Sequence, residues 1–346
     1  MDFHNDNNQS DSHQSHPMDT IYSPKPKKRT NLWRIFWGIL TGLSILANIG
    51  MFFLLIGLIV FAMSGQRSTL IEEVVREGPF GTKIAIVSLE GTIYAEQADI
   101  VYKQLKAAKK DSQVKAVILR VDSPGGTVSA SDQIYHEILK FREQTNKPVI
   151  AFMQGTAASG GYYASVACEQ IIAEPTTITG SIGVISSYLV MQSLLEEKLG
   201  VQPVVVKSGE KKDWPSSFRE PSEQEIQYIQ TKLIEPTLEI FVNVVAKGRE
   251  HALTLSQVKE LADGSIFGAE EAKQNQLIDE IGYLDDAIEL VKSIAGIKDA
   301  TVIQYNRPFS LSSLLGVESK QNLLKLDRNT LYELSTPQTM YLWSAY

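Results

Sequence analysis

From about residue 83 onward, short β-rich runs alternate with segments of helical period, which restricts the chain to a small set of α/β architectures. The β-rich runs lie at 84–89 (IAIVSL), 115–121 (KAVILRV), 148–153 (PVIAFM), 170–173 (QIIA), 182–190 and 203–207 (PVVVK). Helical-period segments fall between several of them, at about 97–110, 129–144, 160–168 and 191–199. Strands separated by helices pair in parallel, so a largely parallel sheet is expected. A long helical stretch follows over about 222–248, opened by the capping pattern Ser222-Glu223-Gln224-Glu225, with shorter helices near 255–263, 268–275 and 284–295. No internal repeat is visible.

The N-terminal part has a different character. Residues 1–31 are rich in Asn, Asp, Ser, Gln, His and Pro, too polar to offset the entropy of ordering, and read as a disordered tail. His4, His13 and His16 belong to that tail and, without a packed scaffold, do not make a metal site. Residues 32–64 are almost wholly apolar and exceed the roughly 20 residues that a membrane-crossing helix needs. Lys25, Lys27, Lys28, Arg29 and Arg34 precede or open this run, against Arg67 soon after it, which predicts a cytoplasmic N-terminus and an extracytoplasmic remainder. The run is too long for a cleaved signal core and no small-x-small site follows, so it reads as an uncleaved single-pass signal anchor in the cell membrane. Residues 65–82 read as a connecting stalk, and 306–346 as a partly ordered C-terminal extension.

A net charge of −7 argues against nucleic acid as a partner, since phosphate binding needs a basic face. With Cys168 the single cysteine, neither an internal disulfide nor a multi-cysteine metal site forms, and its setting in ASVAC reads as core packing. No cofactor or metal is called for.

Three glycine-bearing segments carry the chemistry. Asp122-Ser123-Pro124-Gly125-Gly126-Thr127 follows a strand and precedes a helix; such a turn is either a tight connection or a set of backbone N–H groups exposed to an oxyanion. In Gly155-Thr156-Ala157-Ala158-Ser159-Gly160-Gly161, small residues surround one serine at a strand-to-helix corner, the setting of a nucleophile, although a serine there also caps helices. The pattern is not the G-x-S-x-G elbow, because position 157 is Ala. A nucleophilic serine needs a base. Of the histidines, only His136 and His251 lie outside the tail, neither in a glycine-rich or strand-end setting, so a Ser-His-Asp triad is poorly supported. The alternative is a lysine, which acts as a base only if its pKa falls from about 10.4 towards 7. The segment Lys207-Ser208-Gly209-Glu210-Lys211-Lys212-Asp213-Trp214-Pro215 offers two adjacent lysines, which are ordinarily solvated loop charges, beside an apolar Trp-Pro wall.

Taken together, SPGG at 123–126, AASGGYY at 157–163, TGSIGV at 179–184 and SGEKKD at 208–213 resemble, in order and spacing, the signal peptide peptidase A family of Ser-Lys membrane proteases. The resemblance covers about 83–305 and implies a Clp protease/crotonase-like domain of repeated ββα units. It implies Ser159 as nucleophile, Lys212 rather than Lys211 as general base, Ser181 as the residue orienting that lysine, and Gly126 with Gly160 as the oxyanion hole. It further implies apolar peptide substrates such as signal-peptide remnants, and a ring-like homo-oligomer. With one α/β unit per chain, the sequence leaves open whether the dyad lies within one subunit or is shared between two. Two rival readings are a crotonase-like acyl-CoA enzyme, which the anchor disfavours, and a non-catalytic membrane scaffold, which loss of Ser159 or Lys212 would have favoured. The apolar C-terminal residues MYLWSAY are signal-like in composition and so are candidates to occupy the substrate groove and be trimmed there, which the sequence leaves open.

Overall fold

The computed structural model describes residues 31–64, 70–306 and 338–343, so the expectations for residues 1–30 and 307–337 lie outside the described residues. It divides into two units, Met1–Arg67 and Ser68–Tyr346. The first holds helix α1 (Leu32–Ser64), within which Leu32–Gly57 is long and apolar enough to cross a membrane. At 1.5 Å per residue this stretch spans about 39 Å, beyond the roughly 30 Å of a hydrocarbon core.

The second unit contains, in chain order, β1 (Ile71–Arg76), β2 (Lys83–Glu90), α2 (Ala95–Lys110), β3 (Val114–Ser123), β4 (Gly125–Thr127), α3 (Val128–Thr145), β5 (Val149–Ala158) and α4 (Gly160–Ser165). There follow β6 (Ile171–Ala173), β7 (Ile178–Gly180), β8 (Ile185–Ser187), α5 (Glu223–Ile229), α6 (Glu235–Gly248), α7 (Leu255–Leu261), β9 (Ile266–Gly268), α8 (Ala269–Gln274), β10 (Glu280–Ile281), α9 (Leu284–Ala295), β11 (Thr301–Asn306) and β12 (Gln338–Leu342). One sheet runs β1-β11-β2-β3-β5-β6-β10, with β7 on the far end of β5 and β9 on β7. Its centre, from β11 through β10, is parallel, as the alternation of strands and helices requires.

Period-two alternation sends residues to both faces of this sheet, and both are covered. Ala85, Val87 and Leu89 of β2, Val117, Leu119 and Val121 of β3, and Val149, Ala151 and Met153 of β5 join one core, under Val101 and Leu105 of α2, Ile134 and Ile138 of α3, and Phe241 and Val245 of α6. The alternate residues Ile84, Ile86, Ala116, Ile118, Ile150 and Phe152 face the other core, closed by Ala287, Ile288 and Val291 of α9. Cys168 is buried in the first core, and burial pushes its thiol up to about 12, so it stays protonated at neutral pH.

Several segments depart from the sequence expectations, and of the predicted run 182–190 only Ile185–Ser187 is a strand. Residues 71–76, inside the predicted stalk, form β1, an exposed edge strand antiparallel to β11. Residues 203–207 form no strand: Val204 and Val206 are 85% and 95% exposed, and with no edge among the described strands beside them their β propensity does not make a ladder. The helix predicted over 191–199 is a single π turn, Leu194–Lys198. The stretch predicted over 222–248 is helical throughout, capped by Ser222, which accepts from the Glu225 N–H at 3.2 Å, with a π turn at Gln230–Ile234 joining α5 to α6.

Candidate active site

Adjacent parallel strands end side by side, so the loops after β3 and β5 meet at one edge of the sheet, the usual place for a site in such folds. Ser123 at the end of β3 pairs with Ala157 near the end of β5. The Ser123 hydroxyl donates to the Gly91 carbonyl at 2.6 Å and accepts from the Gly125 N–H at 3.1 Å, pinning the first turn. Asp122 Oδ1 accepts from the Thr156 N–H at 3.2 Å and ties the two loops together.

Ser159 stands between β5 and α4 at φ 55°, ψ −113°, a conformation that costs a non-glycine residue on the order of 1–3 kcal/mol. The surroundings over-determine it. Its N–H donates to the Gly180 carbonyl at 2.8 Å, and its own carbonyl accepts from the Tyr163 N–H at 2.8 Å. Its side chain makes no helix-capping hydrogen bond, so the hydroxyl is not committed to a capping role. Ser159 is nearly inaccessible at 1% exposure.

The glycines around Ser159 are required by close approach. A Cβ on Gly125, whose φ is +94°, would stand 2.6 Å from the Gly160 N and 2.1 Å from the Tyr341 carbonyl oxygen. One on Gly160 would stand 2.4 Å from Ser131 Oγ and 3.1 Å from the same Tyr341 oxygen. The Ile93 N–H donates to the Gly125 carbonyl and the Thr127 N–H donates to the Ile93 carbonyl, both at 2.8 Å, so these groups turn to one side. By alternation, the intervening Gly126 N–H and carbonyl face the other side. There lies β12. It runs antiparallel between β4 and β8, with Tyr341 opposite Gly126 and Met340 opposite Thr127 and Ile185. The Trp343 N–H adds a bond to the Pro124 carbonyl at 2.8 Å. The C-terminal residues therefore cross the Ser159 corner as an extended strand, with the Tyr341 carbonyl between the Gly126 and Gly160 loops. The Tyr341 ring is fully buried, stacked on Tyr163 at 5.0 Å and tilted against Phe241 at 4.6 Å, and its hydroxyl donates to the Thr237 carbonyl at 3.0 Å.

Ser181 also reaches this corner. It follows Gly180, which pairs with Ala158, and adopts φ 48° with its N–H donating to the Ser265 carbonyl at 2.7 Å. Lys212 is not brought in. It lies exposed on the turn Glu210–Asp213 and makes no side-chain hydrogen bond or ion pair among the described residues. Lys211 is engaged elsewhere, with its ammonium 4.5 Å from the Tyr228 ring centroid and 5.7 Å from that of Trp214. The turn itself is anchored: Lys207 reaches Asp213 at 2.6 Å and, through the hydrogen bond this makes, holds its carboxyl below the usual range. Neither histidine approaches Ser159. His136 is exposed on α3, and His251 Nε2 sits 3.3 Å from Asp279, whose carboxylate pairs with the buried Arg249.

Sequence reasoning missed the part played by Gly125, whose lack of a Cβ makes room for both Gly160 and β12; its position beside Gly126 was the available signal. It also missed the Tyr163–Phe241–Tyr341 cluster, which no local pattern announces.

The profile described as Peptidase family S49 matches residues 141–298, and that of Clp protease matches 81–177. A protein of Enterococcus faecium that carries the name signal peptide peptidase SppA is 41% identical over 245 residues, 68% of this chain and 70% of its own. A protein of Methanocaldococcus jannaschii named as a protease is 33% identical over 261 residues, 72% of this chain and 79% of its own. The chloroplastic serine protease SPPA of Arabidopsis thaliana is 32% identical over 253 residues, 70% of this chain and 36% of its own. With this similarity running through the Clp protease-like domain and its serine-bearing corner, the chain belongs to peptidase family S49 and is a serine peptidase.

Proposed function

We propose that this chain is a membrane-anchored endopeptidase that uses a Ser159–Lys212 dyad to degrade signal-peptide remnants and other apolar peptides at the extracytoplasmic membrane face. The observation that carries the reading is β12: an extended segment with a carbonyl beside Ser159, flanked by Gly126 and Gly160 as a bound peptide would be. In the proposed reaction, neutral Lys212 takes the Ser159 proton and Ser159 attacks the peptide carbonyl. The Gly126 and Gly160 amides hold the developing oxyanion; as it collapses the peptide C–N bond breaks and Lys212 gives its proton to the leaving amine. Water deprotonated by the same lysine then hydrolyses the acyl-enzyme and restores Ser159. Ser181 orients the lysine. The apolar helix α1 keeps the domain where such peptides reside.

A solvated ammonium is a poor base, and burial among neighbours is what makes a lysine competent. The exposure of Lys212 therefore favours a site completed by a second copy in a ring-like homo-oligomer. Support comes from the apolar segment just before the lysine turn, where Val201, Val204, Val205 and Val206 are all exposed and paired with none of the described strands. Packing that face against a neighbour would bury the valines and the lysine turn together. Mixing Ser159→Ala and Lys212→Ala chains tests this. Activity regained in the mixture supports a shared site, and none over a dilution series opposes it. The position of β12 likewise leads us to propose that the C-terminus is trimmed by the same site. Intact mass of the wild type should then be lower than that of Ser159→Ala, and identical C-termini would contradict it.

A further inference from the structure

The strand β12 samples the groove unevenly. Side chains alternate along a strand, so Thr339 and Tyr341 project to the same side. Tyr341 fills its place completely, with its ring packed and its hydroxyl bonded. Thr339 does not. Beside it lies an open cavity of about 680 Å³ walled by Tyr94, Val128, Asp132, Tyr163 and Ile240. The walls are mostly apolar, with one formal charge. Asp132, in the first turns of α3, accepts from the Tyr163 hydroxyl at 2.8 Å through Oδ1, and it has no cationic partner among the described residues.

We propose that this cavity is a specificity subsite for a lysine or arginine two positions before the residue whose carbonyl is attacked, selected by Asp132. The proposal rests on the reading of β12 as a stand-in for substrate. A long cationic side chain fits both parts of the cavity: its methylenes lie along Tyr94, Val128 and Ile240, and its head reaches the carboxylate. The bond from Tyr163 fixes the carboxylate's position, and it also links this subsite to the one that Tyr341 occupies, because the Tyr163 ring stacks on Tyr341. A glutamate at the same substrate position would face Asp132 and be repelled.

The test uses the full-length protein in detergent and three peptides that differ only at that position, carrying Arg, Thr or Glu two residues before a common Tyr. Each is assayed for kcat/KM and for cleavage site by mass, with wild type and Asp132→Asn. The asparagine keeps an acceptor for Tyr163 and removes the charge. The expected order is Arg over Thr over Glu, with Arg ahead of Thr by about fivefold, the size of a partly exposed ion pair. That ratio should fall towards one in Asp132→Asn, and in wild type at about 1 M salt. Cleavage after Tyr with an Arg-to-Thr ratio near one, or a ratio unmoved by both salt and Asp132→Asn, overturns the subsite and leaves the groove reading intact. Cleavage of all three peptides elsewhere than after Tyr overturns the groove reading and the subsite with it. If Asp132→Asn does not fold, the wild-type order and its salt dependence decide.

Discussion

Gly125→Ala isolates what the close approach of three backbones contributes. A Cβ there stands 2.1 Å from the Tyr341 carbonyl oxygen and 2.6 Å from the Gly160 N. Ordinary contact with such atoms is about 3.3 Å or more, so the β12 position and the start of α4 must each shift by the better part of an ångström. Both are backbone and neither can swing aside. The Gly160 amide would then be misplaced, and loss of one oxyanion donor costs about 10²- to 10³-fold in kcat. The substitution also puts alanine at φ +94°, and that strain must be separated from the crowding. Gly81 supplies the control, with φ +96° and nothing within 4 Å of an added Cβ. Gly81→Ala should lose about 1–2 kcal/mol of stability through backbone strain alone and keep its activity. Gly125→Ala should lose a similar or larger amount of stability and at least about 100-fold in kcat/KM. Peptide hydrolysis and thermal melts on the full-length proteins read both quantities. A folded Gly125→Ala enzyme within about threefold of wild type would refute the assignment of this corner as the oxyanion site.

Three further outcomes follow from the geometry. Arg249 is 2% exposed and is held by Asp279 through contacts of 2.8 and 2.9 Å, so Asp279→Asn leaves a buried cation unpaired and should cost about 3–5 kcal/mol, read by denaturant titration. Burial works against ionisation of Asp279, but Arg249 outweighs it and holds its carboxyl below the usual range. The stability contributed by that ionisation is therefore complete above the unfolded value of about 3.9 and is lost as pH falls through the lower native one. In Asp279→Asn this part of the acid unfolding should vanish. Deleting Gln338–Tyr346 removes a tethered competitor from the groove, so KM for added peptides should fall by about tenfold; an unchanged KM would mean that β12 does not occupy the substrate path. His136→Ala should leave kcat/KM within about twofold of wild type, since the residue is exposed and apart from Ser159, whereas a triad base would cost several orders of magnitude.

The parallel sheet was legible because runs such as AVILRV and VIAFM are buried on both faces, and a continuous apolar run between helices has few other readings. The serine corner was legible for a different reason: close backbone approach demands small residues, and GTAASGG displays that demand in one local stretch. What escaped was non-local or partner-dependent. IEEVVR looked like linker because an exposed edge strand needs little apolar character once β11 is there to pair with it. PVVVK looked like a strand because valines favour one, yet none of the described strands pairs with it. The pairing of β12 with β4 joins residues more than two hundred positions apart, and no periodicity encodes it. Lys212 could be selected by its motif, but its surroundings could not be read from spacing.

The most direct measurement is labelling of the full-length protein with a serine-reactive phosphonyl probe, locating the modified residue by mass in wild type, Ser159→Ala, Lys211→Ala and Lys212→Ala. The dyad account predicts label on Ser159 in wild type and Lys211→Ala, and none in Ser159→Ala or Lys212→Ala. Full labelling of Ser159 in Lys212→Ala would contradict the lysine's role, and no label on Ser159 in folded wild type would contradict the nucleophile itself.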